Sequence, residues 1–167
     1  MSLEQLSGYI RGPEDGEAFW VVGGLYTYRA VGAENGDAYT LIEVRARDGF
    51  GTPQHFHDRE TEGFYVLEGE VTLVIGEKTI KGKAGTFAFA PVGTPHAFRF
   101  DSPEAKLLLL LAPSAGEAGH EGLFREMGEA ATERIIPPPP GGPLDLARLA
   151  EVAAKHGTTL VGPPIRP

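Results

Sequence analysis

Between Phe19 and Phe100, turn-forming residues break the chain at roughly the 8–12 residue interval that marks an all-β sandwich or barrel. Glu68-Gly69-Glu70, Gly76-Glu77-Lys78, Gly82 with Gly85, and Pro91-Val92-Gly93-Thr94-Pro95 supply most of the turns. Asn35-Gly36 predicts a tight hairpin. Between the turns, side chains alternate as they must on a strand. Thr40, Ile42 and Val44 fall on one face, and Leu41, Glu43 and Arg45 on the other. Leu107 to Leu111 breaks the alternation with five consecutive leucines, which predicts a strand buried on both faces.

The flanks read differently. Residues 1–17 are a polar extension, residues 18–113 the β-domain, and residues 114–167 a C-terminal tail. In the tail, Glu121 to Ala131 predicts a short helix with Leu123, Phe124 and Met127 on one side. Pro137 to Pro140 is a stiff extended spacer. Asp145 can then N-cap a helix reaching Lys155, with Leu146, Leu149, Ala150 and Ala153 as its apolar stripe and Gly157 as its stop. Such a tail is expected to pack on the barrel or on a second subunit, and to be dispensable for the chemistry of the β-domain.

Charge narrows the partners. The net charge of −8 repels phosphate backbones and anionic headgroups, so neither nucleic acid nor a membrane surface is expected. Without cysteine there is no disulfide framework and no thiolate chemistry. The polar start lacks the basic and apolar regions of a signal peptide, which leads to the expectation of a cytoplasmic protein. No serine sits in a nucleophile-elbow context, and no phosphate loop or dinucleotide fingerprint occurs.

The stretch PQHFHDRETEG, from Pro53 to Gly63, is the chemical focus. On a strand His55 and His57 point to the same face, a ready pair of imidazole ligands. Three carboxylates follow, Asp58, Glu60 and Glu62. The pair also fits a solvated loop, and the wider pattern decides between the two. Gly49 is followed after five residues by His55-x-His57, after four more by Glu62, and after six more by Gly69. Fifteen residues on stands Gly85, then five residues, Pro91-x-Gly93, two residues and His96.

These two blocks, in this order and at these spacings, resemble the paired motifs of the cupin superfamily, and the single-barrel layout resembles bacterial quercetin 2,3-dioxygenase-like proteins. One departure is Phe100, where the second motif commonly ends in Asn. The resemblance implies a cupin jelly-roll β-barrel with a short C-terminal helical tail. It also implies a divalent metal held by His55, His57, Glu62 and His96. Three imidazoles and one carboxylate suit Fe, Mn, Co, Ni, Cu or Zn. Glu62 is then both ligand and candidate general base, leaving Asp58 and Glu60 at the solvent-facing rim. A dimer formed through sheet edges or exchanged N-terminal strands is implied as well.

Alternation around the ligands predicts a substrate pocket walled by Phe64 and Val66 and by Phe98 and Phe100, with Tyr26 and Tyr28, or Thr40 and Ile42, on the other side. These are suited to a small flat or apolar molecule. His120 and His156 are expected on the surface of the tail. The leading expectation is a metal-dependent dioxygenase that uses dioxygen on a small aromatic or enolic substrate. The alternatives are a metal-dependent isomerase or decarboxylase of a small organic acid, for which Arg45 or Arg99 would be the counter-ion, and a non-catalytic small-molecule-binding cupin.

Overall fold

Two antiparallel sheets face each other in the computed structural model, which describes residues 6–166. The first sheet has seven strands: β1 (Ala18–Val21), β2 (Gly24–Ala30), β3 (Thr40–Arg47), β5 (Thr61–Glu68), β8 (Phe87–Ala90), β10 (Glu104–Ala112) and β11 (Glu129–Ala130). They run in the order β11-β1-β2-β3-β10-β5-β8. The second has five: β4 (Pro53–His57), β6 (Glu70–Ile75), β7 (Lys78–Lys83), β9 (His96–Phe100) and β12 (Thr158–Pro164), in the order β12-β4-β9-β6-β7. The expected all-β barrel with short helices toward its C-terminal end is the observed architecture. The first five residues of the N-terminal extension, and Pro167, lie outside the described residues.

The core fills the space between the sheets. Ile42, Val44, Phe64, Val66, Val71, Leu73, Phe100 and Leu107 are fully buried. Each comes from the inward register of its strand, so strand alternation alone generates the apolar layer. Burial of such side chains contributes about 1.5–3 kcal/mol apiece before entropy is counted.

Three local expectations are revised. The leucine run in β10 is not buried on both faces: Leu107, Leu109 and Leu111 point inward, whereas Leu110 is 40% exposed. Among the described residues no layer covers the outer face of the seven-stranded sheet there, and alternation resumes despite the uniform composition. Asn35-Gly36 does not form a two-residue hairpin. A single helical turn, α1 (Gly32–Asn35), joins β2 to β3, and Gly36 ends it in the left-handed conformation at φ 70°. The Asn35 side chain accepts hydrogen bonds from Ala38 N and Tyr39 N and so closes the loop itself.

The third revision concerns the C-terminal segment. Its helices form as expected, α2 over His120–Met127 and α3 over Leu146–Lys155, and Asp145 caps α3 by accepting from Arg148 N at 3.0 Å. Beyond α3 the chain becomes β12 and pairs with β4, opposing Thr158 to His57 and Leu160 to His55. Pro163 and Pro164 do not prevent this, because β12 is the edge of its sheet. The segment is thus built into the sheet that carries the His-x-His pair.

Candidate metal centre

His55 and His57 lie on β4 with alternate residues directed away, and both are buried. On the neighbouring strand β9, His96 stands directly opposite His55. Gly93, at φ 76°, shapes the turn that leads into it. Glu62 comes from β5 in the other sheet. The cluster therefore bridges the two layers, and candidate ligand atoms of His55, His57, Glu62 and His96 all lie within 4.8 Å of one another. Gly63, next to Glu62, lies inside β5 and opposes Phe89.

The ring orientations are fixed from behind. His55 Nδ1 donates to Pro53 O and His96 Nδ1 donates to Thr94 O, each at 2.8 Å. Both rings thereby present Nε2 to the centre of the cluster, as outer hydrogen bonds do for metal-ligating histidines. His57 has neither ring nitrogen hydrogen-bonded among the described residues, although the ring is buried. A buried imidazole left unpaired costs about 1–3 kcal/mol. A cation at the centre of the cluster would remove that cost, and the donor set fits one.

The protonation pattern agrees. Burial drives the His55 imidazole down to about 4, and the neighbouring His96 adds to the effect. Burial, His120 and the other two rings push His57 down further. Both rings are neutral near pH 7, the form that binds metal. His96 is raised: burial opposes its charge, but the Glu62 carboxylate 2.9 Å away outweighs that. Burial acts to raise Glu62, and the hydrogen bond from His96 holds it below the usual carboxylate range. A cation would take the place of the proton that this pair shares.

A cavity of about 90 Å³ adjoins the cluster, and His55 and Glu62 open onto it. Phe98 and Leu109 form its barrel wall. Leu123 and Phe124 of α2, Leu149 of α3 and Leu160 of β12 close it. Of the residues expected around a substrate, Phe98 lines this cavity. Phe64, Val66, Phe100, Tyr26 and Tyr28 belong to the core packed around it. Phe64 backs His96 with ring centroids 5.6 Å apart, and Tyr26 supports Phe124 at 4.5 Å. Burial, reinforced by the Glu62 charge, raises the Tyr26 phenol and keeps it neutral.

Residues assigned to the rim or surface need correction. Asp58 is exposed as expected, but Glu60 is buried, and so are His120 and His156. Glu60 turns inward because α2 brings partners to it: Oε2 accepts from His120 Nδ1 at 2.7 Å, and Oε1 accepts from Ala115 N at 2.9 Å. His156 packs beside α2, its Nδ1 donating to Glu117 O. Sixty residues separate Glu60 from His120, and no local pattern announces their pairing.

Residues 42–112 match the family described as "Cupin domain". The chain belongs to the cupin superfamily. Among curated proteins it is similar to a quercetin 2,3-dioxygenase of Bacillus subtilis (strain 168), with 30% identity over 126 residues. That match covers 74% of this chain but 36% of the relative's length. Among solved structures, an RmlC-like cupin from Shewanella frigidimarina superposes with a TM-score of 0.58 at 20% identity, covering 66% of this chain and 96% of the other. A predicted oxalate decarboxylase from Thermotoga maritima gives 0.55 at 20% identity, covering 63% and 98%. Both likenesses concern the fold. Among the described residues, no helix of this cupin is long and apolar enough to cross a membrane.

Proposed function

We propose that this cupin is a metal-dependent dioxygenase acting, with dioxygen, on a small aromatic or enolic substrate. The observation that carries the reading is the buried three-imidazole, one-carboxylate cluster opening directly onto an apolar cavity. The similarity to a quercetin 2,3-dioxygenase supports it. A bound divalent transition metal would supply Lewis-acid stabilisation to a substrate oxyanion. His55, His57 and His96 would hold it, with Glu62 as the fourth ligand. Glu62 also faces the cavity, so its carboxylate is placed to take the proton of a substrate hydroxyl. Phe98 offers a flat face to a planar substrate, and the leucines of the C-terminal segment exclude water.

The organic-acid alternative lacks a counter-ion. Arg99 is bound by Asp101 at 2.6 Å, Arg45 reaches Glu104 at 3.8 Å, and neither lines the cavity. Dioxygen uptake tests the proposal, measured with quercetin and with single-ring hydroxylated compounds on the Fe, Mn, Co, Ni and Cu forms. Substrate-dependent uptake with at least one metal is expected. Binding without uptake in every form would replace the dioxygenase with a ligand-binding cupin.

The proposal extends to a homodimer. Tyr65, Phe87, Phe89 and Leu110 are exposed together on the outer face of the seven-stranded sheet, where β8 is an edge strand. An apolar patch beside an open sheet edge favours pairing with a second copy. Sedimentation equilibrium should give twice the chain mass and a reduced association constant for Phe87→Glu; a monomeric wild type would refute it.

A further inference from the structure

The dioxygenase reading uses neither Glu60 nor His120, yet both are buried beside the metal cluster. The His120 ring packs on His57 with centroids 4.1 Å apart and forms part of the cavity wall. Its position is built with care. Glu121, the next residue, accepts from Gly32 N at 2.8 Å, from Ser114 Oγ at 3.0 Å and from Thr40 Oγ1, fastening the first turn of α2 to the barrel. A Cβ at Gly119 would lie 2.6 Å from Glu60 Oε2, so the approach of this turn to Glu60 requires glycine there.

Glu60 fixes the tautomer. It accepts from Ala115 N, His120 N and His120 Nδ1, three donors that suit an ionised carboxylate. With Nδ1 donating to Glu60, the neutral ring keeps its lone pair on Nε2. Nε2 has no hydrogen-bond partner among the described residues, and the ring borders the cavity. Thr158 lines the same cavity, and its Oγ1 is buried without a partner among the described residues. His120 Nε2 is thus an unpaired acceptor in a wall whose other ring nitrogens and carboxylate, those of His55 and Glu62, belong to the ligand cluster.

We propose that His120 Nε2 accepts a hydrogen bond from a substrate hydroxyl, so that the cavity selects compounds bearing a hydroxyl next to the oxygen that meets the metal cluster. The substrate class is a vicinal diol on an aromatic or enolic frame. This deepens the reading of the same site and rests on its being a metal-dependent small-molecule site, but it concerns binding and not turnover. The cavity, about 90 Å³, falls well below the ~300 Å³ at which drug-sized sites begin, so a single-ring diol suits it better than a larger flavonol.

Catechol and its monomethyl ether guaiacol differ in whether the second oxygen can donate and in one methyl group, whose bulk is controlled by comparing the two compounds in the wild type and in His120→Phe. Titration calorimetry on the zinc-loaded full chain should show catechol bound about tenfold more tightly than guaiacol, the value of one such hydrogen bond. His120→Phe should bring catechol down to the guaiacol level and leave guaiacol unchanged, with zinc content equal to wild type. His120→Gln, whose amide oxygen can accept, should recover part of the preference. The wild type gives a second readout that needs no variant: the ¹⁵N resonance of His120 Nε2 should shift on adding catechol and stay in place on adding guaiacol. Equal affinities, a preference that survives His120→Phe, no shift of that resonance, or no binding of catechol would each overturn the proposal. Failure of dioxygen uptake alone would remove the dioxygenase reading while this binding preference still stood.

Discussion

Two regions meet at the cavity, and they are encoded in different ways. The barrel strands β4, β5 and β9 carry the four candidate ligands at spacings set by strand alternation and tight turns. The C-terminal segment, from His120 to Pro164, carries no ligand motif, yet it covers the cavity with α2, α3 and β12. The first region fixes what a cation would meet. The second fixes what else can enter. A superfamily can therefore keep one metal-binding face and change substrate by changing the residues that close over it.

Removing a ligand from the first region should have the largest effect. His57→Ala takes one imidazole from the cluster, and elemental analysis of protein purified without chelator should find metal in the wild type and little in the variant. Metal-free wild type would end the distinction between the two regions, because the barrel face would then have no special chemistry.

Truncation after Arg134 breaks the second region instead. It deletes α3 and β12, and with them the hydrogen-bonded neighbour of the His-x-His strand. The sequence alone leads to the expectation that removing this tail leaves metal binding intact; the pairing of Thr158 with His57 makes the tail part of the sheet that carries two of the candidate ligands. Loss of a strand and of the apolar contacts of Val152 and Ala153 should cost on the order of 3 kcal/mol, roughly a 10 °C fall in Tm. Metal affinity should weaken without vanishing, since all four ligands remain. Unchanged Tm and affinity by calorimetry would show that the cap is an accessory and not part of the fold.

The third effect is a pH dependence that belongs to the barrel face. His55 and His57 stay neutral when folded, whereas the unfolded chain takes up protons near the ordinary imidazole value of 6.5. The unfolded state binds more protons between that value and about 4, so the metal-free protein should lose stability as pH falls through this window. The loss is about 2 kcal/mol per imidazole by pH 5. His96 works in the opposite sense: its raised value adds stability below the ordinary imidazole range and gives it up as pH rises through the folded value. Two depressed rings against one raised ring predict a net fall, measurable by urea unfolding at pH 7 and pH 5. Equal stability at the two pH values would place the rings in contact with solvent.

Legibility followed the range of the interactions. The ligand cluster and the strands that bear it were visible because a period of two puts His55 and His57 on one face regardless of what surrounds them. The α3 cap at Asp145 was visible for the same reason, being a contact between residues three apart. Leu110 was misread because five leucines hide the alternation that the sheet nevertheless imposes. The β12 strand was missed because Gly162-Pro163-Pro164 masks the preceding Thr158-Thr159-Leu160-Val161, and only its edge position makes those prolines compatible with pairing.

What the sequence determined by itself is the strand pattern and the His55–His57 pair, because alternation and turn chemistry are local and act at every residue; Glu62 and His96 joined that pair through the resemblance to the cupin motifs. Tertiary structure decided the rest. It turned Glu60 from rim to interior, brought His120 across sixty residues to meet it, and folded β12 against β4. A carboxylate becomes a buried anchor only when distant donors come to it, and no local pattern states which donors will arrive.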